Sequence, residues 1–248
     1  MSSRRFMINS RCISDDSATL DHELFRHVVR VLRLAEGDAV TLVDEQGCEH
    51  SGVLEQIARD QATVRIGQST RMPEQEQDRL QITICQALPK GEKIDLILQK
   101  GTELGVHAFW LFGGKRSVAR VHADQIKIKQ DRWTRIVSES ARQCGRRTVP
   151  VVRWFPSAAA AAAAADQELR LILWEDERTN RLRDALTGAP LPGSVVVAIG
   201  PEGGFDPAET GQFVDNGFKS ITLGSRILRT ETATIAITAI LQYISCDI

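Results

Sequence analysis

Ile199-Gly-Pro-Glu-Gly-Gly-Phe205 and Leu223-Gly-Ser-Arg-Ile-Leu-Arg-Thr-Glu-Thr-Ala233 decide how this chain reads. Each continues an apolar, β-branched run (Val195 to Ile199, then Ser220 to Leu223), turns at glycine and leads through a polar loop into a helix. Asp206, Pro207 and Glu209 supply the first helix start: a capping aspartate, proline in the first turn and glutamate at the third helical position. Thr230 is expected to cap a second helix running from about Glu231 to Ser245. Two loops then stand at the carboxyl ends of two parallel strands, where α/β sheets place ligands. Gly200, Gly203, Gly204 and Gly224 leave the main chain open to close approach. One such loop alone would read as an ordinary strand–helix turn. Two, carrying Glu202, Arg226, Arg229 and Glu231, point to a ligand site.

The same grammar extends back to Leu80. A strand Leu80–Leu88, a turn Pro89–Gly91 and an amphipathic helix Glu92–Leu104 ended by Gly105 are followed by a strand Val106–Phe112. A flexible basic loop, Gly113–Ser117, leads to a helix over Asp124–Cys144, on which Lys127, Lys129, Arg132, Arg135 and Arg142 interleave with Ile126, Ile128, Trp133, Ile136 and Val137. The alanine run in Ser157–Asp166 reads as a spacer helix without chemistry, capped by Ser157. Leu169–Trp174 is a further strand, ending in the acidic loop Glu175–Glu177, and Thr187–Gly193 is a Pro/Gly loop. This alternation over residues 80–248 implies a mostly parallel α/β sheet.

Residues 1–72 differ. Asp21–Leu34 has helical periodicity, with Leu24, Val28, Val31 and Leu32 apolar and Arg26, Arg30 and Arg33 expected on one face. Short strands at Ala39–Val43, His50–Gln56 and Gln61–Ile66, divided by turn residues, suggest a small barrel, a common scaffold for RNA recognition. The polar stretch Arg71–Arg79 contains the linker, residues 73–79.

At 248 residues, 42% hydrophobic and 25% charged, the chain has globular composition, and no apolar run approaches the roughly 20 residues of a membrane span. A secretory leader is not expected behind Met1–Phe6, and the five scattered cysteines fit a reduced, cytoplasmic setting without a metal site. Net charge is −1, but Lys115–Arg153 holds eleven basic residues against Asp124, Asp131 and Glu139. Such a block is the footprint of phosphate-backbone binding, or of a solvated face. Phosphate-loop, dinucleotide and nucleophile-elbow motifs are all absent. Arg226 and Arg229 could hold a phosphate or stabilise an oxyanion, and Glu231 or Glu202 could accept a proton. Equally, Glu231 could serve only the helix dipole and Arg229 could pair with it.

The two glycine loops resemble the signature of the trefoil-knotted (SPOUT) methyltransferases, and within them the bacterial 16S ribosomal RNA uracil-N3 methyltransferase family. His27-Val-Val-Arg-Val-Leu-Arg-Leu-x-x-Gly-Asp38, Gln99-Lys-Gly-Thr-Glu-Leu-Gly-Val106, Arg132-Trp133 and Glu139–Pro150 are similar to further motifs of that family, so the resemblance spans nearly the whole chain. It implies a PUA-like RNA-binding β-barrel, a C-terminal trefoil-knotted sheet with helices on both faces, and a homodimer. The implied activity is methyl transfer from S-adenosyl-L-methionine to N3 of a uridine in the 16S rRNA of the small ribosomal subunit, the family target being uridine 1498. Position by position, Leu173, Gly200, Glu202, Gly203, Leu223, Gly224, Ile227 and Leu228 would line the cofactor, with Arg229 and Glu231 nearest the transferred methyl. Arg26, Arg30, Arg33, Lys115, Arg116, Arg132, Arg146 and Arg147 would contact RNA. Gly101 stands where the family usually has alanine, Ser225 where it often has proline, and Gly113-Gly114 is unusual in the basic loop.

Uracil N3 lies on the Watson–Crick edge, so the base must be unpaired or extruded, and N3 must lose its proton. Arg229 would stabilise the anion and Glu231 would orient Arg229 or take the proton. A catalytically silent RNA-binding or ribosome-assembly factor on this fold, and a ribose 2′-O methyltransferase, are the alternatives.

Overall fold

The computed structural model describes residues 5–44, 47–71, 80–119, 121–146, 148–186 and 192–245. The chain divides into two compact units, residues 1–76 with 141–149, and residues 77–140 with 150–248.

The first unit is a mixed six-stranded half-barrel. Its strands are β1 (Arg5–Met7), β2 (Ile13–Ser14), β3 (Ser17–Asp21), β4 (Ala39–Val43), β5 (Cys48–Ile57) and β6 (Gln61–Arg71), in the order β1-β4-β5-β6-β3-β2. All pairings are antiparallel except β1 with β4. Register shifts at Ser51/Gly52 and Leu54/Gln56 bend the long β5–β6 ribbon. Side chains alternating inward from these strands, among them Phe6, Leu20, Leu42, Leu54 and Val64, form its core.

Asp21–Leu34 is not the regular helix that its periodicity suggests. One α-turn, α1 (His22–Phe25), passes into a π-helical segment, Arg26–Val31, closed by Leu32 N–H on the His27 carbonyl (3.0 Å) and Leu34 N–H on the Val28 carbonyl (3.1 Å). The wider turn brings Phe25, Val28 and Leu34 into the core and leaves Val31 and Leu32 exposed. Arg33 falls beyond the helix at φ 55°, so Arg26, Arg30 and Arg33 do not share a helical face.

In the second unit β7 (Gln81–Ala87), β8 (Ala108–Phe112), β9 (Val151–Phe155), β10 (Leu169–Leu173), β11 (Ser194–Ile199) and β12 (Lys219–Ile221) form an all-parallel sheet of order β12-β10-β11-β7-β8-β9. Strands buried on both faces read as nearly unbroken apolar runs, as Val195–Ile199 does. Helices α2 (Lys93–Glu103) and α7 (Thr230–Ser245) pack together, with α7 against β7 and β11. The opposite face carries α4 (Ala158–Ala163) and α6 (Pro207–Asp215). Two further helices complete the unit's order, α3 (Ile126–Cys144) before β9 and α5 (Leu182–Leu186) before β11.

Sequence patterns missed β9 and α5, and they misjudged the alanine run. Ala158, Ala161, Ala162 and Ala165 are buried in the cluster holding Trp110, Phe112 and Phe213. The run is therefore core, its methyl groups letting α4 approach the sheet and α6 closely. On α3, Trp133, Val137 and Ala141 are buried while Ile128 faces outward.

The chain runs outward through β7, β8 and β9, then crosses to the other side of β7 for β10, β11 and β12. Strand order thus reverses beside β7, which opens a crevice at the carboxyl ends. After the edge strand β12, the segment 222–229 turns back and α7 returns to the centre of the sheet. This return is the threading of a trefoil-knotted sheet, a rare departure from unknotted topology.

Candidate active site

Three loops, after β10, β11 and β12, close on one cleft of about 430 Å³ in the second unit. Leu173, Gly200, Glu202, Gly203, Leu223, Gly224, Ile227, Leu228 and Arg229 all line it, joined by Glu175, Arg178 and Arg226. Its inner wall is apolar, from Leu173, Ile199, Ile221 and Ala233, while charged side chains stand at the rim. Ile227, although apolar, is 78% exposed there.

The first glycine loop is built as the sequence suggests. Asp206 accepts from Ala208 N–H (3.1 Å) and Glu209 reaches back to Asp206 N–H (3.2 Å), completing a capping box at α6. The Ala208 N–H bond first, then Lys115, hold the Asp206 carboxyl below its usual value. Gly204 N–H donates to the Pro201 carbonyl at 3.0 Å, and Gly204 adopts φ 68° with the Glu175 carboxylate where a Cβ would project. In the second loop Gly224, at φ 133°, faces open space. Both positions require glycine.

Thr230 does a different job from the expected cap. It begins α7, and its hydroxyl donates to the Gly200 carbonyl at 2.7 Å. The wholly buried Gln86 of β7 donates to Thr230 Oγ1 (2.9 Å) and to the Ala87 carbonyl (2.8 Å), while its Oε1 accepts from Thr234 Oγ1 (2.9 Å). One amide therefore fastens β7, the Gly200 loop and the threaded helix.

Glu202 points toward α2 and is committed there. Its carboxylate accepts from Lys90 N–H (3.1 and 3.2 Å) and from Lys93 Nζ (2.8 Å). Burial acts to raise the Glu202 carboxyl, but the Lys93 hydrogen bond and the backbone N–H groups outweigh it and carry it below its ordinary value. Glu231 faces the same ammonium, at 3.7 Å from Lys93 Nζ, with Oε2 buried and accepting no hydrogen bond from the described residues. Arg229 is exposed and, among the described residues, makes no ion pair with Glu231. Local patterns did not reveal Lys93, whose two partners lie far along the chain.

The expected RNA-contacting cations are dispersed. Arg26, Arg30 and Arg33 are exposed on the first unit, where Arg30 donates to the Arg59 carbonyl (3.2 Å). On the second unit the basic loop is tied down. Lys115 pairs with Asp206 (3.3 Å) and its N–H donates to Glu209 (2.8 Å), while Arg116 donates to the Gly203 carbonyl (3.2 Å). Arg132 is ion-paired with Asp95. Arg146 is half-buried, and Arg147 lies outside the described residues.

The one grouping of possible metal donors among the described residues is Asp44, Cys48 and His50, within 4.8 Å of one another. Asp44 accepts from Cys48 N–H (2.8 Å), and His50 bonds to Ser69 (2.8 Å) and Asp44 (3.4 Å), so these groups serve the β4–β5 hairpin. No helix among the described residues is long and apolar enough to cross a membrane.

The RNA methyltransferase domain family matches residues 76–242, and the PUA domain of RNA methyltransferases matches residues 20–67. The ribosomal RNA small subunit methyltransferase E of Bacillus subtilis is 31% identical over 226 residues, covering 89% of this chain and 88% of the relative. A Legionella pneumophila methyltransferase solved with its cofactor S-adenosylmethionine superposes with a TM-score of 0.88 at 29% identity, covering 98% of each chain. The small subunit methyltransferase E of Neisseria gonorrhoeae, bound to S-adenosylmethionine, gives 0.85 at 31% identity with the same coverage.

Proposed function

The chain belongs to the RNA methyltransferase family of the ribosomal RNA small subunit methyltransferase E type, and on that premise we propose that it methylates N3 of one uridine, uridine 1498, of 16S rRNA. S-adenosyl-L-methionine is the cofactor and, when bound, supplies an electrophilic methyl group. The cleft suits it: its volume of about 430 Å³ lies within the range of small-molecule sites, its inner wall is apolar, and two glycines expose backbone polar groups. Leu173, Gly200, Gly203, Leu223, Gly224, Ile227 and Leu228 would hold it, and Glu202 would fix the loop that covers it.

The observation that carries the chemistry is an exposed Arg229 on the cleft, two residues ahead of Glu231, whose buried Oε2 accepts no hydrogen bond from the described residues. Loss of the N3 proton leaves negative charge shared between N3 and the uracil carbonyl oxygens, and that charge is discharged when N3 takes the methyl group and the methyl–sulfur bond breaks. Arg229 stabilises that charge. Glu231 Oε2 takes the proton, since no donor among the described residues occupies it. The base reaches this edge only when extruded from its stack. Residues 1–72 serve as the RNA-binding domain, joined through 73–79 to the catalytic domain 80–248, and Arg26, Arg30, Arg33, Lys115, Arg116, Arg132, Arg146 and Arg147 meet the RNA. A homodimer in the cytoplasm is the working assembly, supported by Leu96 on α2 and Ile240 and Tyr243 on α7, which stand exposed on two adjacent helices.

The test is methylation of small-subunit RNA by the purified protein with labelled S-adenosylmethionine, followed by nucleoside analysis. N3-methyluridine is expected, and Arg229→Ala reduces its yield by about 100-fold or more. A 2′-O-methyl product, or full turnover by the variant, refutes the assignment.

A further inference from the structure

The loop after β10 brings Arg178 to the mouth of the cleft, where the methyl-transfer chemistry makes no use of it. The backbone around it is pinned. The Glu177 carboxylate accepts from Thr179 N–H (2.9 Å), Thr179 Oγ1 (2.8 Å), Asn180 N–H (3.1 Å) and Asn180 Nδ2 (3.2 Å), which folds the loop around one side chain. The Asn180 carbonyl accepts from Thr222 N–H (2.8 Å), and Leu182 N–H donates to the Thr222 carbonyl (3.2 Å). Thr222 Oγ1 then closes the turn at Gly224, accepting from its N–H (3.2 Å) and donating to its carbonyl (3.0 Å). A continuous set of bonds therefore joins the loop bearing Arg178 to the threaded loop bearing Arg226. Both arginines stand on the rim of the same cleft, on backbones held relative to each other.

The charge of the rim decides what they face. Its charged residues are Glu175, Arg178, Glu202, Arg226 and Arg229. Glu202 is neutralised by Lys93 at 2.8 Å, and Glu175 has Arg116 at 4.0 Å. Arg178, Arg226 and Arg229 are exposed, and their guanidinium groups make no ion pair or hydrogen bond among the described residues. S-adenosylmethionine does not balance this charge, because its sulfonium and ammonium outnumber its one carboxylate. A polyanion does. An extruded nucleotide arrives with a phosphate on either side, each negatively charged. With Arg229 at the base, two cations remain for two phosphates, and the planar fork of a guanidinium matches a phosphate's oxygens. We propose that Arg178 and Arg226 form a phosphate clamp, each holding one of the phosphates that flank the extruded uridine, and so seat N3 against the methyl group. This rests on RNA being the substrate of the cleft. Because phosphate contacts carry no sequence information, the clamp governs how the nucleotide is seated and leaves its choice to other contacts.

The test is equilibrium binding to 16S rRNA ligated to carry methylphosphonates, which are neutral, in place of the two phosphates flanking the target uridine. The control RNA keeps the phosphates and shares the 2′-deoxy sugars that neutral linkages require. Wild type, Arg178→Ala, Arg226→Ala, the double variant and Arg178→Lys are compared between about 50 and 200 mM salt. Each alanine should weaken binding to the control RNA about tenfold and lower the slope of log affinity against log salt by about 0.7, the value for one contact to a single strand. Arg178→Lys should restore the slope, which a merely structural role would not require. The neutral linkages should weaken the wild type about 100-fold, two contacts being lost, and the double variant less than about threefold. Affinity for S-adenosylmethionine, read by titration calorimetry, should be the same in every variant. Equal losses on the neutral RNA for wild type and double variant overturn the proposal. Weaker S-adenosylmethionine binding with an unchanged salt slope overturns it too, and would make these arginines cofactor residues. Should a variant fail to fold by thermal melting, a wild type indifferent to the neutral linkages overturns it without any substitution. A wild type that does not bind the control RNA refutes the substrate reading itself, and this proposal with it.

Discussion

Replacing Gln86 by leucine should loosen the threaded helix and the cofactor loop together. The side chain is wholly buried and makes three hydrogen bonds of 2.8–2.9 Å, to the Ala87 carbonyl, Thr230 Oγ1 and Thr234 Oγ1. Leucine matches its bulk but makes none of them. Thr230 keeps its bond to the Gly200 carbonyl and Thr234 keeps its bond to the Thr230 carbonyl, so neither hydroxyl is orphaned. At about 1 kcal/mol net for each lost bond, the cost is about 2–3 kcal/mol. For a chain of this size that corresponds to a fall in melting temperature of about 4–12 °C. Differential scanning calorimetry measures it, and titration calorimetry should show weaker S-adenosylmethionine binding in the same variant, since Gln86 steadies the Gly200 loop through Thr230. A leucine variant that melts with the wild type would refute the view that this amide pins the thread.

Two other substitutions probe the frame. A Cβ at Gly101 would lie 2.7 Å from Phe109 Cζ, which accounts for glycine where the family usually has alanine. Gly101→Ala should therefore destabilise by about 1 kcal/mol, overpacking outweighing the helix-propensity gain, and Phe109→Leu should relieve the clash, so that the double variant costs less than the sum of the two singles in urea unfolding. Glu177 accepts from Thr179 and Asn180 N–H, and these bonds lower its pKa from 4.5 to about 2. A carboxyl lowered on folding stabilises above its unfolded value and loses that contribution as pH falls through its folded value. The melting-temperature gap between wild type and Glu177→Gln should thus be constant above about pH 4.5 and close toward pH 2.

Much of the site was legible because its signals are local. The glycine loops and the capping box at Asp206 each lie within a dozen residues of sequence, and the structure gathers the loop residues they nominate, Glu231 excepted, around one cleft. What escaped depends on contacts that no window contains. Lys93 meets Glu202 and Glu231 only because α2, β11 and α7 converge. Gln86 reads as one more strand residue until α7 is threaded past it. The π-helical turn at Arg26–Val31 defeats a 3.6-residue period, since burying Leu34 demands a wider turn. Val151–Phe155 was hidden by its half-exposed edge position, and the alanine run by a composition that says helix and nothing about depth.

The central claim is tested most directly by mapping modified nucleosides in 16S rRNA from cells with and without this gene, with rescue by wild type and by Arg229→Ala. Loss of a single N3-methyluridine, restored by the wild type and not by the variant, is the expected result. An unchanged 16S map would contradict the account.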